Sequence, residues 1–348
     1  RTNKGKAVGT MSVIQECMQD NDNILQVENI CKYYKAGSGR LFDKTVFKAV
    51  NQVSFSVKRG ETFGLVGESG CGKSTLAKLV MKLLEASGGR VLFDGQDITK
   101  MPKRQLDAIR KDMQIVFQDP YDSLNPRFNL KQIVSEPMEN FGYSRQEIDA
   151  RVKELFQEVG LPEKLMVRYP HQLSGGQRQR LCIARSLALS PKLLLCDEVV
   201  SALDVSIQAQ ILNLLLDLKD KNGLTYVFIS HNLAVVKFVS DKIGVMYFGK
   251  LVEVAGKDEL FENCLHPYSC ALLSAVPIPD PDVKTKRLIL EGDLPNLMNP
   301  PKGCIFQDRC PFVKDICRRE EPELTEFTPG HQVACHRAGE LDLRIVEE

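Results

Sequence analysis

A glycine-rich loop with the spacing GxxxxGK[ST] runs from Gly67 to Ser74. Glycine lets the backbone turn its N–H groups toward phosphate oxygens, and the N-terminus of a following helix favours negative charge. In this pattern Lys73 reaches the β- and γ-phosphates, and the Ser74 hydroxyl is a ligand of Mg²⁺. An apolar strand pattern precedes the loop and helical spacing follows it, so the sequence predicts a nucleotide site here. The loop residues predicted to bind nucleotide are Gly67, Ser69, Gly70, Cys71, Gly72, Lys73, Ser74 and Thr75.

Two adjacent carboxylates, Asp197 and Glu198, follow the apolar run 193–196. Such a run is typical of a buried parallel strand, and α/β sheets bind their ligands at the carboxyl edge. We expect Asp197 to serve as a ligand of Mg²⁺ or as a partner of its ligands. Glu198 is the candidate general base that polarises the attacking water. The alternative is an ordinary strand end with two solvated acids.

The elements that must position these groups are visible in the apolar patterns. Alternation over 24–34 and 47–57 predicts an antiparallel β region, and apolar residues at helical spacing over 146–160 predict a helix. The predicted fold class is α/β, a P-loop NTPase core with an antiparallel β subdomain, a helical insert and a small cysteine-rich C-terminal extension. The predicted segments are a disordered or cloning-derived N-terminus (1–23), the β subdomain and first part of the core (24–118), the helical subdomain (119–190), the second part of the core (191–256) and the extension (257–348).

The composition bounds the class of function. The 348 residues carry a formal net charge of +1, with basic and acidic residues interspersed, which argues against a nucleic-acid partner. No apolar stretch is long enough to cross a bilayer, and no signal peptide is expected. If the chain serves transport, we therefore expect it to be the motor and other chains to form the pore.

The last four of the 11 cysteines form a separate group, Cys304, Cys310, Cys317 and Cys335. A cytosolic location disfavours disulfides, and the spacing lacks the CxxC pairs of common zinc sites. Four thiolates in loop-rich sequence suit a [4Fe–4S] cluster. From the spacing alone, the cluster, a zinc site and free thiols all remain open.

The segment 173–177, Leu-Ser-Gly-Gly-Gln, resembles the signature motif of ABC-type ATPases, in which the signature of one subunit closes over the nucleotide held by another. The resemblance implies that Gln118 senses Mg²⁺ and the γ-phosphate and that His231 contacts the γ-phosphate. It also implies a stacking contact of Tyr34 with adenine, for which the adjacent Tyr33 is an alternative. The further nucleotide-binding residues implied in this way are Ser174, Gly176, Gln177 and Asp204, the last on a loop across the dimer interface.

Segments 300–311 and 333–336, together with 119–126 and 266–268, resemble the ATPases of oligopeptide and dipeptide importers, above all the second, F-type ATPase. This resemblance covers nearly the whole chain and implies hydrolysis of ATP with Mg²⁺ to power peptide import. Nickel, glutathione and other small-solute importers share the extension and are the alternative. A soluble ABC ATPase that acts on DNA or ribosomes is a distant second alternative.

The same resemblance implies the setting in which the chain works. It implies a [4Fe–4S] cluster on the four C-terminal cysteines. The expected partners are a second ABC ATPase subunit, two transmembrane permease subunits and an extracytoplasmic substrate-binding protein. The expected location is the cytoplasmic face of the cell membrane, as a peripheral subunit.

Overall fold

The computed structural model describes residues 22–35, 46–276, 288–292 and 300–343. The prediction that 1–23 is a disordered or cloning-derived N-terminus concerns mainly residues 1–21, which lie outside the described residues. No helix within these ranges combines the length and the apolarity that crossing a membrane would require.

A small antiparallel sheet lies at the start of the described chain. Its strands, in spatial order, are β2 (Val46–Lys58), β1 (Asn23–Lys35), β4 (Gly88–Phe93) and β5 (Gln96–Asp97). Val27 of β1 lies opposite Phe55 of β2 and Val91 of β4, so apolar side chains line up across the strands. They join the buried cluster that contains Leu76 on the helix after the phosphate loop. The predicted antiparallel β subdomain is confirmed.

A larger mixed sheet forms the centre of the molecule. Its core strands, in spatial order, are β10 (Lys250–Gly256), β9 (Lys242–Tyr247), β3 (Thr62–Val66), β8 (Thr225–Ile229), β7 (Leu193–Asp197) and β6 (Met113–Val116). The pairs from β9 to β6 are parallel, so the carboxyl ends of these strands meet at one edge. Strands β3, β7 and β8 are buried along their whole length, which is why their sequences are continuously apolar and do not alternate.

Helices cover the sheet and form the predicted insert. Those of the core are α1 (Lys73–Val80), α2 (Lys103–Arg110), α7 (Val205–Asn222) and α8 (Leu233–Val239). Those of the insert are α3 (Pro120–Ser123), α4 (Leu130–Asn140), α5 (Arg145–Glu158) and α6 (Gly175–Leu187), with 3₁₀ turns at Glu163–Leu165 and Pro170–Gln172. Reciprocal capping boxes open α4, α5 and α6, and each satisfies two backbone N–H groups that a helix start leaves free.

The C-terminal extension is built onto the main sheet. Its elements are α9 (Lys257–Glu262), α10 (Pro267–Ser274), α11 (Asp315–Arg319), β11 (Thr325–Thr328) and β12 (His331–Val333). Strand β12 pairs with β10, with Val333 opposite Glu253, and β11 pairs with β12 at the outer edge. The sequence predicts only a cysteine-rich, loop-rich extension here and gives no signal for β11 or β12, because both strands are too short to show alternation.

Candidate functional site

The phosphate loop leaves the end of β3 and enters α1 in a conformation that only glycine adopts easily. Gly70 and Gly72 have φ of 79° and 107°, and Gly72 is the N-cap of α1. A Cβ on Gly72 would lie 2.3 Å from the carbonyl oxygen of Ala49. Both the dihedral angles and the close backbone approach therefore require the glycine spacing, as the sequence predicts.

Lys73 is the buried cation of the loop. Its Nζ donates hydrogen bonds to the carbonyl oxygens of Gly67 and Glu68, at 2.7 and 3.0 Å. The ammonium therefore lies across the loop that we expect to surround phosphate oxygens. Thr75 follows in the first turn of α1, where helix N–H groups point toward the same space.

The two residues predicted to bind Mg²⁺ at the loop and at β7 lie together. The Ser74 hydroxyl donates to Oδ1 of Asp197 at 3.2 Å. Burial raises the pKa of Asp197, and the neighbouring Glu198 adds to this effect, while the Ser74 hydrogen bond and nearby lysines oppose it. A divalent cation between the hydroxyl and the carboxylate would compensate the charge that burial disfavours. The donor set of one hydroxyl and one carboxylate fits Mg²⁺, whose remaining ligands are commonly waters and phosphate oxygens.

Three polar side chains converge at the carboxyl edge beside this pair. Gln118 Nε2 donates to Oε2 of Glu198 at 3.0 Å, and His231 Nδ1 lies 3.3 Å from the same oxygen. They follow β6, β7 and β8, three neighbouring strands of the sheet. Glu198 itself has φ of 50°, an uncommon value for a residue with a side chain, and its N–H donates to the Ile229 carbonyl. The arrangement places one carboxylate between an amide and an imidazole, where it can accept a proton from water.

The signature segment opens α6 on the surface of the insert. The Ser174 hydroxyl accepts the Gln177 N–H at 3.3 Å, and the Gln177 side chain accepts the Ser174 N–H at 3.1 Å. Gly176 lies under α7, since a Cβ there would be 2.7 Å from Cγ2 of Ile207. Asp204 is exposed at the start of α7, next to Val205, which is 83% exposed. The predicted signature and dimer-interface residues thus form an accessible surface.

Tyr34 and Tyr33 differ in the exposure and the hydrogen bonding of their side chains. The ring of Tyr34 is 40% exposed and lies 6.1 Å from that of Phe47. The Tyr33 hydroxyl donates to Oδ1 of Asn51 at 2.6 Å and is thereby held against β2. Of the two, Tyr34 is the more exposed, and because Lys32 Nζ lies 5.2 Å from the centre of its ring, the stacking contact stays a prediction.

The four C-terminal cysteines line one small cavity of about 20 Å³, which has room for about one water molecule. Burial raises the pKa of the Cys304 thiol to about 12 and that of Cys335 to about 11, so both are held neutral. Within the described ranges, no group of three or more His, Cys, Asp or Glu side chains is arranged to hold a metal ion. The four cysteines of the predicted iron–sulfur site therefore share a cavity, but in the described part of the chain they form no preformed ligand set.

Two features of the C-terminal part were missed at the level of the sequence. Cys264 and Cys270 form a disulfide six residues apart, contrary to our expectation that disulfides are disfavoured. Glu68 of the phosphate loop forms an ion pair with Arg309 of the extension, with a shortest distance of 2.8 Å. The cysteine spacing could have suggested the disulfide, whereas nothing in the sequence pattern indicates the ion pair.

Comparison with known proteins gives consistent matches along the chain. Residues 50–201 match the family model described as ABC transporter, and residues 252–317 match that of the oligopeptide/dipeptide transporter C-terminal region. The chain is 50% identical over 323 residues to the oligopeptide transport ATP-binding protein AppF of Bacillus subtilis (strain 168), covering 91% of this chain and 98% of the relative. It is also 50% identical over 318 residues to the probable peptide ABC transporter ATP-binding protein y4tS of Sinorhizobium fredii (strain NBRC 101917 / NGR234), covering 91% and 90%.

Solved structures show the same fold. The cbiO1 protein of Clostridium perfringens, part of the ABC transporter complex cbiONQ, superposes with a TM-score of 0.62 at 31% identity, covering 69% of this chain and 91% of that one. The ATP-binding cassette MJ0796, in a dimeric post-hydrolysis state with ADP and Pi, superposes with a TM-score of 0.60 at 30% identity, covering 67% and 98%.

Proposed function

Because this chain belongs to the ABC transporter ATP-binding proteins of the oligopeptide/dipeptide importers, we propose that it hydrolyses ATP to power the import of peptides. Two relatives at 50% identity are named for oligopeptide or peptide transport. The match over 252–317 covers the first part of the extension, up to residue 317. The peptide class of solute rests on these relatives.

The observation that carries the enzymatic part is the convergence on Glu198. Gln118 and His231 both contact Oε2 of Glu198, at 3.0 and 3.3 Å, and the Ser74–Asp197 pair lies beside them. We assign Glu198 to the polarisation of the attacking water and His231 to the γ-phosphate. Phosphoryl transfer to water requires positioning and charge stabilisation more than covalent chemistry by the protein.

The loop and the buried acid supply that stabilisation. Lys73 and the inward-facing backbone N–H groups hold the phosphates, and Ser74 with Asp197 would hold Mg²⁺. When bound, the ion neutralises charge on the β- and γ-phosphate oxygens. Lys73 must leave the carbonyl oxygens of Gly67 and Glu68 to reach the nucleotide, and phosphate oxygens would replace them as acceptors.

We infer that the chain works in an assembly. The exposed signature residues support a head-to-tail pairing with a second ABC ATPase, in which the signature of each chain closes the site of the other. The transporter family implies two membrane permeases and an extracytoplasmic substrate-binding protein, so the chain would bind peripherally at the cytoplasmic face of the membrane.

A metal cluster on the four cysteines is a further proposal, and the shared cavity supports it. Because the described residues hold no preformed ligand set, cluster binding would draw the four thiols together and require them to ionise. Iron and zinc analysis of anaerobically purified protein, with a visible absorption spectrum, tests it. About four irons per chain with a broad visible band would establish the cluster. Zinc or no metal would refute the cluster and leave the ATPase assignment intact.

The substitution Glu198→Gln tests the ATPase assignment. Loss of the base should lower hydrolysis by roughly 100-fold or more in the assembled complex, while ATP still binds and holds the dimer closed. Glu262→Gln, at an exposed glutamate of α9, is the matched control for loss of one carboxylate. Ordinary turnover by Glu198→Gln would refute the assigned role.

Uptake of labelled peptide into vesicles, with nickel and glutathione as competitors, tests the solute class.

A further inference from the structure

The C-terminal extension reaches the phosphate loop through an arginine–carboxylate pair. Arg309 Nη1 donates to Oε2 of Glu68 at 2.8 Å, and Nη2 donates to Oε1 at 3.1 Å. The two parallel hydrogen bonds give the pair a fixed geometry that a single contact lacks. The Arg309 side chain is 10% exposed, so solvent screens this pair less than it would screen a surface ion pair.

The backbone of the same loop residue is held by a second group of the extension. The Tyr268 hydroxyl accepts the Glu68 N–H at 2.9 Å. Tyr268 is fully buried, and its ring packs against those of Tyr247 and Phe306, at centroid distances of 4.5 and 5.6 Å. The guanidinium of Arg309 lies 6.0 Å from the centre of the Tyr247 ring. An aromatic cluster therefore fixes both groups that hold Glu68.

Glu68 in turn shapes the interior of the loop. Its carbonyl oxygen accepts the Lys73 ammonium at 3.0 Å and the Cys71 N–H at 3.3 Å. A shift of Glu68 would thus change the conformation of the loop from which Lys73 moves to the phosphates, and would displace the Cys71 N–H. Glu68 therefore links the extension to the nucleotide site.

We propose that Arg309 is a positioning residue for nucleotide binding, which orders the phosphate loop through its bidentate pair with Glu68. Through this contact the extension sets the affinity of the site for ATP. The inference rests on the proposed function only in taking ATP as the ligand. Arg309 does not touch the nucleotide in this scheme and acts through Glu68 alone.

A double-mutant cycle on the full-length chain tests the proposal. Arg309→Gln, Glu68→Gln and the double variant are compared with the parent chain for the dissociation constant of MgATP and for the thermal midpoint. Each single variant should bind MgATP roughly fivefold or more weakly, and the double variant no more weakly than the weaker single. Arg309→Lys should recover part of the affinity, because lysine keeps the charge but loses the bidentate geometry. In the assembled complex, KM for ATP should rise more than kcat falls.

Lys314→Gln is the matched control, since Lys314 is a cation of the same extension that pairs with Glu340 at 3.0 Å. Its affinity for MgATP should equal that of the parent chain. Unchanged affinity in Glu68→Gln overturns the proposal, and this holds even if Arg309→Gln fails to fold. A lowered thermal midpoint with unchanged affinity also overturns it, because Arg309 would then only anchor the extension. Failure of the parent chain to bind MgATP would instead refute the proposed function.

Discussion

Gly67 shows how tightly the phosphate loop is packed at the level of one residue. Its φ is 154°, and a Cβ would lie 2.1 Å from the carbonyl oxygen of Met246 and 2.8 Å from Sγ of Cys71. The carbonyl belongs to the backbone of β9 and cannot rotate away as a side chain would. Glycine at this position is therefore required by the sheet behind the loop.

We expect Gly67→Ala to destabilise the protein by about 3 kcal/mol or more, because it combines backbone strain with a steric clash. Gly60→Ala is the matched control. Gly60 also has positive φ, at 73°, but a Cβ there would meet nothing within 4 Å. Gly60→Ala should lower the free energy of unfolding by only about 1–2 kcal/mol, which is the strain of the left-handed conformation. The midpoints of urea unfolding of the two variants measure the difference. Equal midpoints would contradict the prediction, because they would show that the loop rearranges to accommodate the Cβ at Gly67.

The residues of the site divide into those that the sequence predicts and those it does not. Ser74, Asp197 and Glu198 follow from motif spacing and from the rule that parallel strands end at one edge. The structure brings Ser74 and Asp197 into contact, and the roles of the three residues stay a prediction. The partnership of Glu68 with Arg309 depends on where an aperiodic segment docks, 241 residues later in the chain. No local pattern encodes such a docking site, so it became visible only in three dimensions.

At the scale of elements, a buried carboxylate holds the extension to the main sheet. Glu253 of β10 is fully buried and accepts the N–H groups of Leu265 and His266, at 2.6 and 3.1 Å. His331 of β12 lies with Nε2 at 2.8 Å from Oε1 of Glu253. Glu259 of α9 faces the other ring nitrogen at 3.4 Å. One acid thus joins β10, β12 and the segment before α10.

Strands β11 and β12 mark the limit of pattern reasoning. The antiparallel subdomain and helix α5 follow from periodicity because each spans several repeats, and the core strand β7 follows from its continuous apolar run. A strand of three residues, His331–Val333, shows no more than one alternation. Its place in the sheet is set by the Glu253–His331 contact and by pairing with β10, which are long-range interactions.

The Glu253–His331 contact predicts a pH dependence of stability. Burial opposes protonation of His331, but the hydrogen bonds and charges of Glu253 and Glu259 outweigh it and raise its pKa. The folded state therefore binds this proton more tightly than the unfolded state does. The contribution is fully present below the ordinary pKa of about 6.5 and is lost as the pH rises through the raised value. We expect the stability lost in His331→Gln to be largest at low pH and to shrink as the pH rises.

Thermal midpoints of the parent chain and His331→Gln, measured from pH 6 to pH 9, give this difference directly. The exposed His171, stacked against Tyr169, supplies the control variant His171→Gln for the loss of one histidine. A difference between parent and His331→Gln that stays constant or grows with pH would contradict the assigned sign.

At the scale of the whole molecule, the signature and the phosphate loop lie in different parts of the chain. Within this chain the phosphate loop belongs to the core, whereas Ser174 and Gln177 sit at the exposed start of α6 in the insert. If the two ATPases pair head to tail, the signature of this chain completes the site of its partner. The functional unit is then the dimer, and the solved MJ0796 cassette is likewise dimeric with ADP and Pi.

Ser174→Arg should separate the two proposed roles, because it places a large cation on the proposed dimer face and leaves the phosphate loop of the same chain untouched. We expect the isolated chain to bind MgATP with unchanged affinity, while hydrolysis by the assembled complex falls by roughly 100-fold. Ser144→Arg is the matched control, since Ser144 also caps a helix through a reciprocal capping box, with Glu147. Both variants lose a serine cap, worth about 1 kcal/mol, so both should unfold at similar temperatures. Only Ser174→Arg should stop hydrolysis, and weaker MgATP binding by its isolated chain would show that the signature acts on its own loop.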